Sequence, residues 1–341
     1  MNLNEKKINK LFYYWLYASL LLIISIVIVG GLTRLTNSGL SITEWELFTG
    51  ILPPLNPISW NNYFELYKQI PQYKLLNFNM SLDEFKTIFY WEYFHRILAR
   101  LIGLFFLIPL IFFLITKKIN IRYLNICILI LFLIIAQGIV GWFMVKSGLI
   151  LDVTVSHYRL SLHLSIAVLI ISTIFWLIKN VKSNKYKLFY FFTKNNLPFQ
   201  ILILFLYVQI IIGAFVSGLD AGKIYQTWPM MGQNFIPDDI YFDNMNVLID
   251  FGNHSLVQFY HRIFAYFIVL YVLLLSIYVY KNRIVKLYFP LKILLFFLFL
   301  QIILGVFTLI SGLNIYLASI HQITSVLLVL SAINLYYLRT K

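Results

Sequence analysis

Four histidines, His95, His163, His261 and His321, lie inside long apolar stretches of the chain. They form two related pairs. Tyr93-Phe94-His95-Arg96-Ile97 reads against Phe259-Tyr260-His261-Arg262-Ile263 at an offset of 166 residues, and His163 corresponds to His321 at an offset of 158. Ionisable residues in hydrocarbon are expensive and usually functional. Two imidazoles facing each other across a helical bundle can ligate the iron of a b-type haem from both axial sides, so the quartet predicts two such sites. A di-iron carboxylate centre would need two Glu-x-x-His motifs and two further glutamates. Glu92-Tyr93-Phe94-His95 is the only such motif, and no other apolar run carries a carboxylate.

The residues around the pairs divide the two copies. Arg96 and Arg262 directly follow a histidine, and a bidentate guanidinium suits a haem propionate; the plainer reading is snorkelling or pairing with a loop carboxylate. Glu92 stands one helical turn before His95, whereas Gln258 stands one turn before His261. An acid in one copy only predicts one reactive site and one auxiliary site. Glu92 could accept a proton or stabilise developing positive charge; its plain alternative is a salt bridge to Arg96 or Arg34. His157 and His254 fall at span ends, where a solvated imidazole suffices. Cys127, the only cysteine, lies inside a span, so it reads as a small core side chain and excludes any intramolecular disulfide or Cys-based metal site.

Of 341 residues, 61% are hydrophobic and 12% charged, an apolar excess that no soluble domain buries. Apolar runs at about 11–32, 88–115, 121–145, 154–178, 198–219, 253–280, 286–311 and 313–338 predict eight membrane spans. Leu101–Ile115 and Leu291–Leu300 are apolar on every side, which excludes the alternating strands of an outer-membrane barrel. Lys and Arg gather on alternate loops. The N-terminus, the loops near 116–122, 179–197 and 281–286, and the C-terminal tail carry sixteen of the 27, against six on the other loops. The net charge of +14 therefore predicts orientation, with both termini cytoplasmic, and not a nucleic-acid partner.

Two long outer loops, 36–87 and 220–252, follow the first and fifth spans. Gly30, Gly39 and Trp45 fall on Gly213, Gly222 and Trp228 at a constant offset of 183, while Gln137, Gly141, Phe143, Ser147, Gly148 and Leu149 match Gln301, Gly305, Phe307, Ser311, Gly312 and Leu313 at offset 164. Each copy contains four spans, so the two share one membrane orientation. The expected fold is an all-α integral membrane protein whose eight transmembrane helices form two pseudo-twofold-related four-helix bundles: 1–178, a basic linker at 179–197, and 198–341. The small residues Gly138, Gly141, Gly305 and Ser311 are expected to let helices approach closely. All four span histidines fall about 10–15 Å from the outer end of an even-numbered span at the helical rise.

These motifs resemble the haem A synthase family. The resemblance runs from Gly30-Gly31-Leu32-Thr33-Arg34-Leu35-Thr36-Asn37-Ser38-Gly39-Leu40-Ser41 through Glu92-Tyr93-Phe94-His95-Arg96, Thr227-Trp228-Pro229-Met230-Met231-Gly232 and Tyr260-His261-Arg262 to His321-Gln322. It implies oxidation of the C8 methyl of haem O to a formyl group by successive hydroxylations, a net four-electron change. It also implies a haem b between His261 and His321, substrate haem O near His95, His163 and Glu92, and a bacterial inner-membrane location with the haem sites toward the periplasmic face. Haem O synthase (the protohaem farnesyltransferase) and oxidase assembly factors are the implied partners. The electron partner and homo-oligomerisation stay open at the level of sequence. No cysteine pair occurs in the first outer loop, so the chain resembles the cysteine-free branch of the family. The competing reading is a two-haem transmembrane electron carrier without a substrate of its own.

Overall fold

The computed structural model describes residues 3–44, 49–151, 153–189, 192–240 and 245–340. Among these the chain is helical, apart from short 3-10 turns and one isolated bridge between Met231 and Asn234. The helices are α1 (Leu3–Leu35), α2 (Pro57–Lys68), α3 (Pro71–Leu76), α4 (Leu82–Thr116), α5 (Ile121–Leu151), α6 (His157–Ser183), α7 (Leu197–Gly218), α8 (Met245–Leu248), α9 (His254–Lys281), α10 (Tyr288–Ile310) and α11 (Ile315–Arg339). Eight of them, α1, α4 to α7 and α9 to α11, are long and apolar enough to cross a membrane. The chain is therefore a multi-pass all-α membrane protein.

Helix α4 begins six residues before the apolar run that announces it. Ser81 accepts from the backbone N–H of Glu84, and the Glu84 carboxylate accepts from the Ser81 N–H at 2.8 Å. This capping box, with Asp83 and Glu84 in the positive first turn, starts the helix on polar residues that hydropathy alone passes over. Cys127 is fully buried, as its core reading requires.

The chain divides into two compact units, Met1–Ile171 and Ser172–Lys341. In the first, α4 packs along α1 and α5; in the second, α9 and α11 pack along α7, and α10 along α11. The first spans of the two units end alike. Thr36 N–H bonds Leu32 O at 2.9 Å and Leu219 N–H bonds Phe215 O at 2.9 Å, after which Asn37 and Asp220 both take φ 52°. Asn and Asp tolerate this left-handed exit, and the two sit 183 residues apart, the offset read from the sequence. Trp45, the repeat partner of Trp228, lies outside the described residues.

The first long loop is capped by α2 and α3. Trp60, Phe64 and Tyr67 bury themselves against Phe85 and Phe89 of α4. The Tyr67 hydroxyl donates to Gln72 Oε1 at 3.0 Å and accepts from Asn77 Nδ2 at 2.7 Å. Its burial pushes the phenol pKa up, against the lowering effect of Asn77. In the second unit, the described part of the segment joining α6 to α7 is pinned. Buried Asn180 bonds both backbone groups of Lys187, donating at 3.1 Å and accepting at 3.2 Å, and Trp176 Nε1 donates to Lys187 O at 2.9 Å. Lys187 Nζ in turn reaches Tyr337 O at 3.1 Å and Thr340 O at 2.5 Å, tying this segment to the end of α11.

Candidate functional site: paired imidazoles on glycine seats

Each of the four histidines rests against a glycine of the preceding span. A Cβ placed on Gly30 would lie 2.9 Å from Cε1 of His95; the same test gives 2.9 Å for Gly141 and His163, 3.0 Å for Gly213 and His261, and 2.9 Å for Gly305 and His321. A Cβ at Gly30, Gly141 or Gly305 would force the ring or the helix to shift, and at Gly213 the ring would have to give by a few tenths of an ångström. Within each unit the two imidazoles stand within electrostatic reach of one another, His95 with His163 and His261 with His321. The sequence-predicted pairs are thus brought together. Gly138, expected to ease helix packing, faces open space, with nothing within 4 Å of its Cβ position. The role of Gly141 and Gly305 is more specific than helix approach: they make space for an imidazole.

The seats fit a haem. The Nδ1 atoms of His95, His163 and His321 are buried without a hydrogen-bond partner, a costly state for side chains with no structural work to do. Among the described residues no cluster of three or more His, Cys, Asp or Glu could hold a bare metal ion. Two imidazoles per unit and nothing else is the donor set of a bis-histidine haem, whose porphyrin supplies the remaining ligands.

Glu92 and Arg96 are joined to each other and to the first loop. Glu92 is buried, 2% exposed. One carboxylate oxygen accepts from Ser41 Oγ at 2.7 Å and from the Ile42 N–H at 2.9 Å; the other accepts from Arg96 Nη2 at 2.6 Å and Nε at 3.1 Å. Arg96 also donates to the carbonyls of Ile42 at 3.0 Å and Glu44 at 3.4 Å. The ion pair that competed with a catalytic reading of Glu92 is therefore present, and the partner is Arg96; Arg34 instead bonds the Asn37 side chain at 2.9 Å.

The second unit repeats the arginine part of this clasp. Arg262 donates to the carbonyl of Tyr225 at 2.9 Å and of Thr227 at 2.9 Å, and these carbonyls lie 183 positions after those of Ile42 and Glu44. Gln258 donates to Tyr225 O at 2.9 Å. What the second clasp lacks is the negative charge, since Arg262 has no carboxylate in place of Glu92. Sequence reading linked these arginines to a cofactor and did not see that each fastens a loop to a helix. The signal was available as two parallel repeats, the loop motif at offset 183 and the helix motif at offset 166.

A cavity of about 340 Å³ opens beside the first clasp, lined by Ile42, Glu44, Arg96, Trp142, Lys146 and Leu149 among others. Lys146 Nζ sits 5.1 Å from the Trp142 ring centroid. Arg100 donates to Gly50 O at 3.1 Å, and Arg159 donates to Ser147 Oγ with its guanidinium over the Phe143 ring. His254 is the exposed first residue of α9, and His157 opens α6 with its ring against Tyr158. Neither belongs to an imidazole pair.

Fold and site together define a polytopic membrane protein with a duplicated two-histidine seat. Comparison with known proteins agrees: the chain belongs to the COX15-CtaA family of cytochrome oxidase assembly proteins, whose model matches residues 13–333. It is 48% identical over 337 residues to the haem A synthase of Pelagibacter ubique (strain HTCC1062), covering 97% of each chain. It is 41% identical to the haem A synthase of Rickettsia felis, covering 95% of this chain and 96% of that one, and 42% identical to that of Bartonella tribocorum, covering 93% and 89%.

Proposed function

We propose that this protein is a haem A synthase, an oxidoreductase that converts the C8 methyl of haem O to a formyl group for use in terminal oxidases. Full-length similarity to enzymes of that name supports the activity. One structural observation carries the assignment of roles: two near-identical histidine seats, of which only one has a carboxylate, Glu92, a turn away. An electron conduit has no use for that difference. The reading puts substrate haem O between His95 and His163, and a resident haem b between His261 and His321. A bound haem b supplies one-electron redox chemistry at its iron.

The chain's own residues do the rest. His261 and His321 hold the resident group in a seat without a neighbouring acid. Glu92 is held still by Ser41, Ile42 and Arg96, so its carboxylate stays beside His95 and can take a proton or stabilise positive charge there. Arg96, lining the cavity with Lys146, offers cations to the substrate's propionates. Arg262, lacking a carboxylate partner, does the same for haem b. The basic loops put both termini in the cytoplasm and both seats toward the periplasmic side of a bacterial inner membrane. A farnesylating haem O synthase supplies the substrate, and oxidase assembly factors receive the product.

The test is expression in a haem O-producing, haem A-free host, followed by extraction and chromatography of the haems. Haem A in the extract is the expected result. Haem O alone, from protein that carries its resident haem, would overturn the assignment.

A further inference from the structure

The first long loop meets α4 at two levels. Near the start of α4, Trp60, Phe64 and Tyr67 of α2 pack on Phe85 and Phe89, and the ion pairs Lys68–Glu65 and Lys86–Asp83 belong to the same level. Farther along, the Tyr93 hydroxyl donates to Ile51 O at 2.7 Å, and Arg100 Nη1 donates to Gly50 O at 3.1 Å. Tyr93 comes eight residues after Phe85, about 12 Å at the helical rise. The chain therefore lies well down α4 at residues 50–51 and climbs back toward the start of that helix through α2. At the lower level its open side is apolar. Ile51, Leu52, Leu55 and Ile58 are 52%, 68%, 78% and 74% exposed, and residues 50–58 include no charged side chain.

Large apolar side chains grouped on an open surface mark a contact with a membrane or another protein, and here they continue the lipid-facing side of a spanning helix. Trp60 of α2 meets Tyr90 edge-on at 5.5 Å, Tyr90 stacks on Phe94 at 6.0 Å, and Phe94 and Leu101 of α4 are themselves 57% and 56% exposed. Trp and Tyr gathered at one level are typical of a membrane interface. The headgroup layer is about 5–8 Å thick on each side of the hydrocarbon. With the ion pairs at its aqueous edge, Ile51, about 12 Å farther down α4, reaches the acyl chains. The backbone suits that depth. Pro53, Pro54 and Pro57 have no N–H to leave unpaired; Gly50 O and Ile51 O are occupied by α4, and Asn56 Oδ1 accepts from the Ser59 N–H at 2.8 Å. We propose that residues 50–58 dip into the leaflet on their own side of the membrane, with Ile51, Leu52, Leu55 and Ile58 against phospholipid acyl chains and Glu65 and Lys68 at the water-facing edge of the headgroups. The proposal goes beyond the haem reading and holds for either orientation of the chain.

Nitroxide labels read this depth, because oxygen concentrates in hydrocarbon whereas a polar nickel chelate stays in water. The full chain with Cys127→Ser and one new cysteine, Leu55→Cys, Ile58→Cys or Glu65→Cys, is labelled and placed in nanodiscs of phosphatidylethanolamine and phosphatidylglycerol. Power-saturation electron paramagnetic resonance then measures the access of each relaxant. At Leu55 and Ile58 oxygen should outweigh the chelate, and at Glu65 the chelate should outweigh oxygen, the ratio differing by about threefold or more between the two levels. Using two positions on the segment keeps the test open where one variant does not accumulate. Chelate access at Leu55 and Ile58 equal to that at Glu65 would place the segment in water. Exclusion of both relaxants would place it beneath a second protein surface, such as another copy of this chain. Either result would overturn the proposal.

Discussion

Glu92 and Gln258 occupy the same station in two copies of one clasp, and that comparison shows what a substitution should do. Removing one partner of a buried ion pair usually costs on the order of 3–5 kcal/mol, because the other charge is left uncompensated. Arg262, though, makes its three loop bonds with a glutamine beside it, so the first clasp should tolerate the same pairing. Glu92→Gln is expected to fold and to keep its resident haem, read from the spectrum of the purified protein. Haem A formation should fall by about a hundredfold or more, the scale of a lost acid–base group. Unchanged haem A output would remove Glu92 from the chemistry and leave it a loop fastener. The sequence showed that Glu92 lacks a twin, because its counterpart can be found by alignment. It did not show that Glu92 is fully hydrogen-bonded, since Ser41 and Ile42 approach from a loop about fifty residues away.

At the scale of the helix, the glycine seats set a geometric demand that can be tested against a built-in control. Gly305→Ala puts a methyl group 2.9 Å from Cε1 of His321, whereas Gly138→Ala meets nothing within 4 Å. Gly305→Ala should therefore displace the ring and either lower haem b content or shift the spectrum from low to high spin, while Gly138→Ala leaves both unchanged. Equal spectra for the two variants would mean that the ring has room to spare. A second element-scale expectation concerns the segment after α6. Asn180→Leu leaves the part-buried N–H of Lys187 without its Asn180 acceptor, while the carbonyl keeps Trp176 Nε1, at a cost of about 1–3 kcal/mol for the group left unsatisfied. Thermal unfolding in detergent should shift down, with the haem spectrum of the surviving protein intact. Helix positions were legible because hydrocarbon demands long apolar runs. The glycine contacts were not, because a glycine in a span reads first as a place where helices approach, and only the partner's identity shows that a ring lies there.

The whole molecule is ordered by a repeat whose halves bend their first loops back in the same way. Both long loops are fastened to the helix that carries a seat, Arg96 to Ile42 and Glu44, and Arg262 to Tyr225 and Thr227. Each loop is thereby tied to the helix that carries one histidine of its own unit. Charge predicts the side of the membrane on which these loops lie: the short loops and the termini carry sixteen of the 27 lysines and arginines, and the positive-inside rule assigns such loops to the cytoplasm. Single cysteines make the inference measurable, since Cys127 is buried and can be exchanged for serine. An impermeant maleimide applied to spheroplasts should label Lys68→Cys and Lys223→Cys on the long loops. It should reach Lys118→Cys and Lys185→Cys only after the membrane is opened. The reverse pattern would turn both long loops toward the cytoplasm. Haem O would then enter and haem A leave on the side opposite to the one that positive charge predicts, although the residues that hold them would be the same.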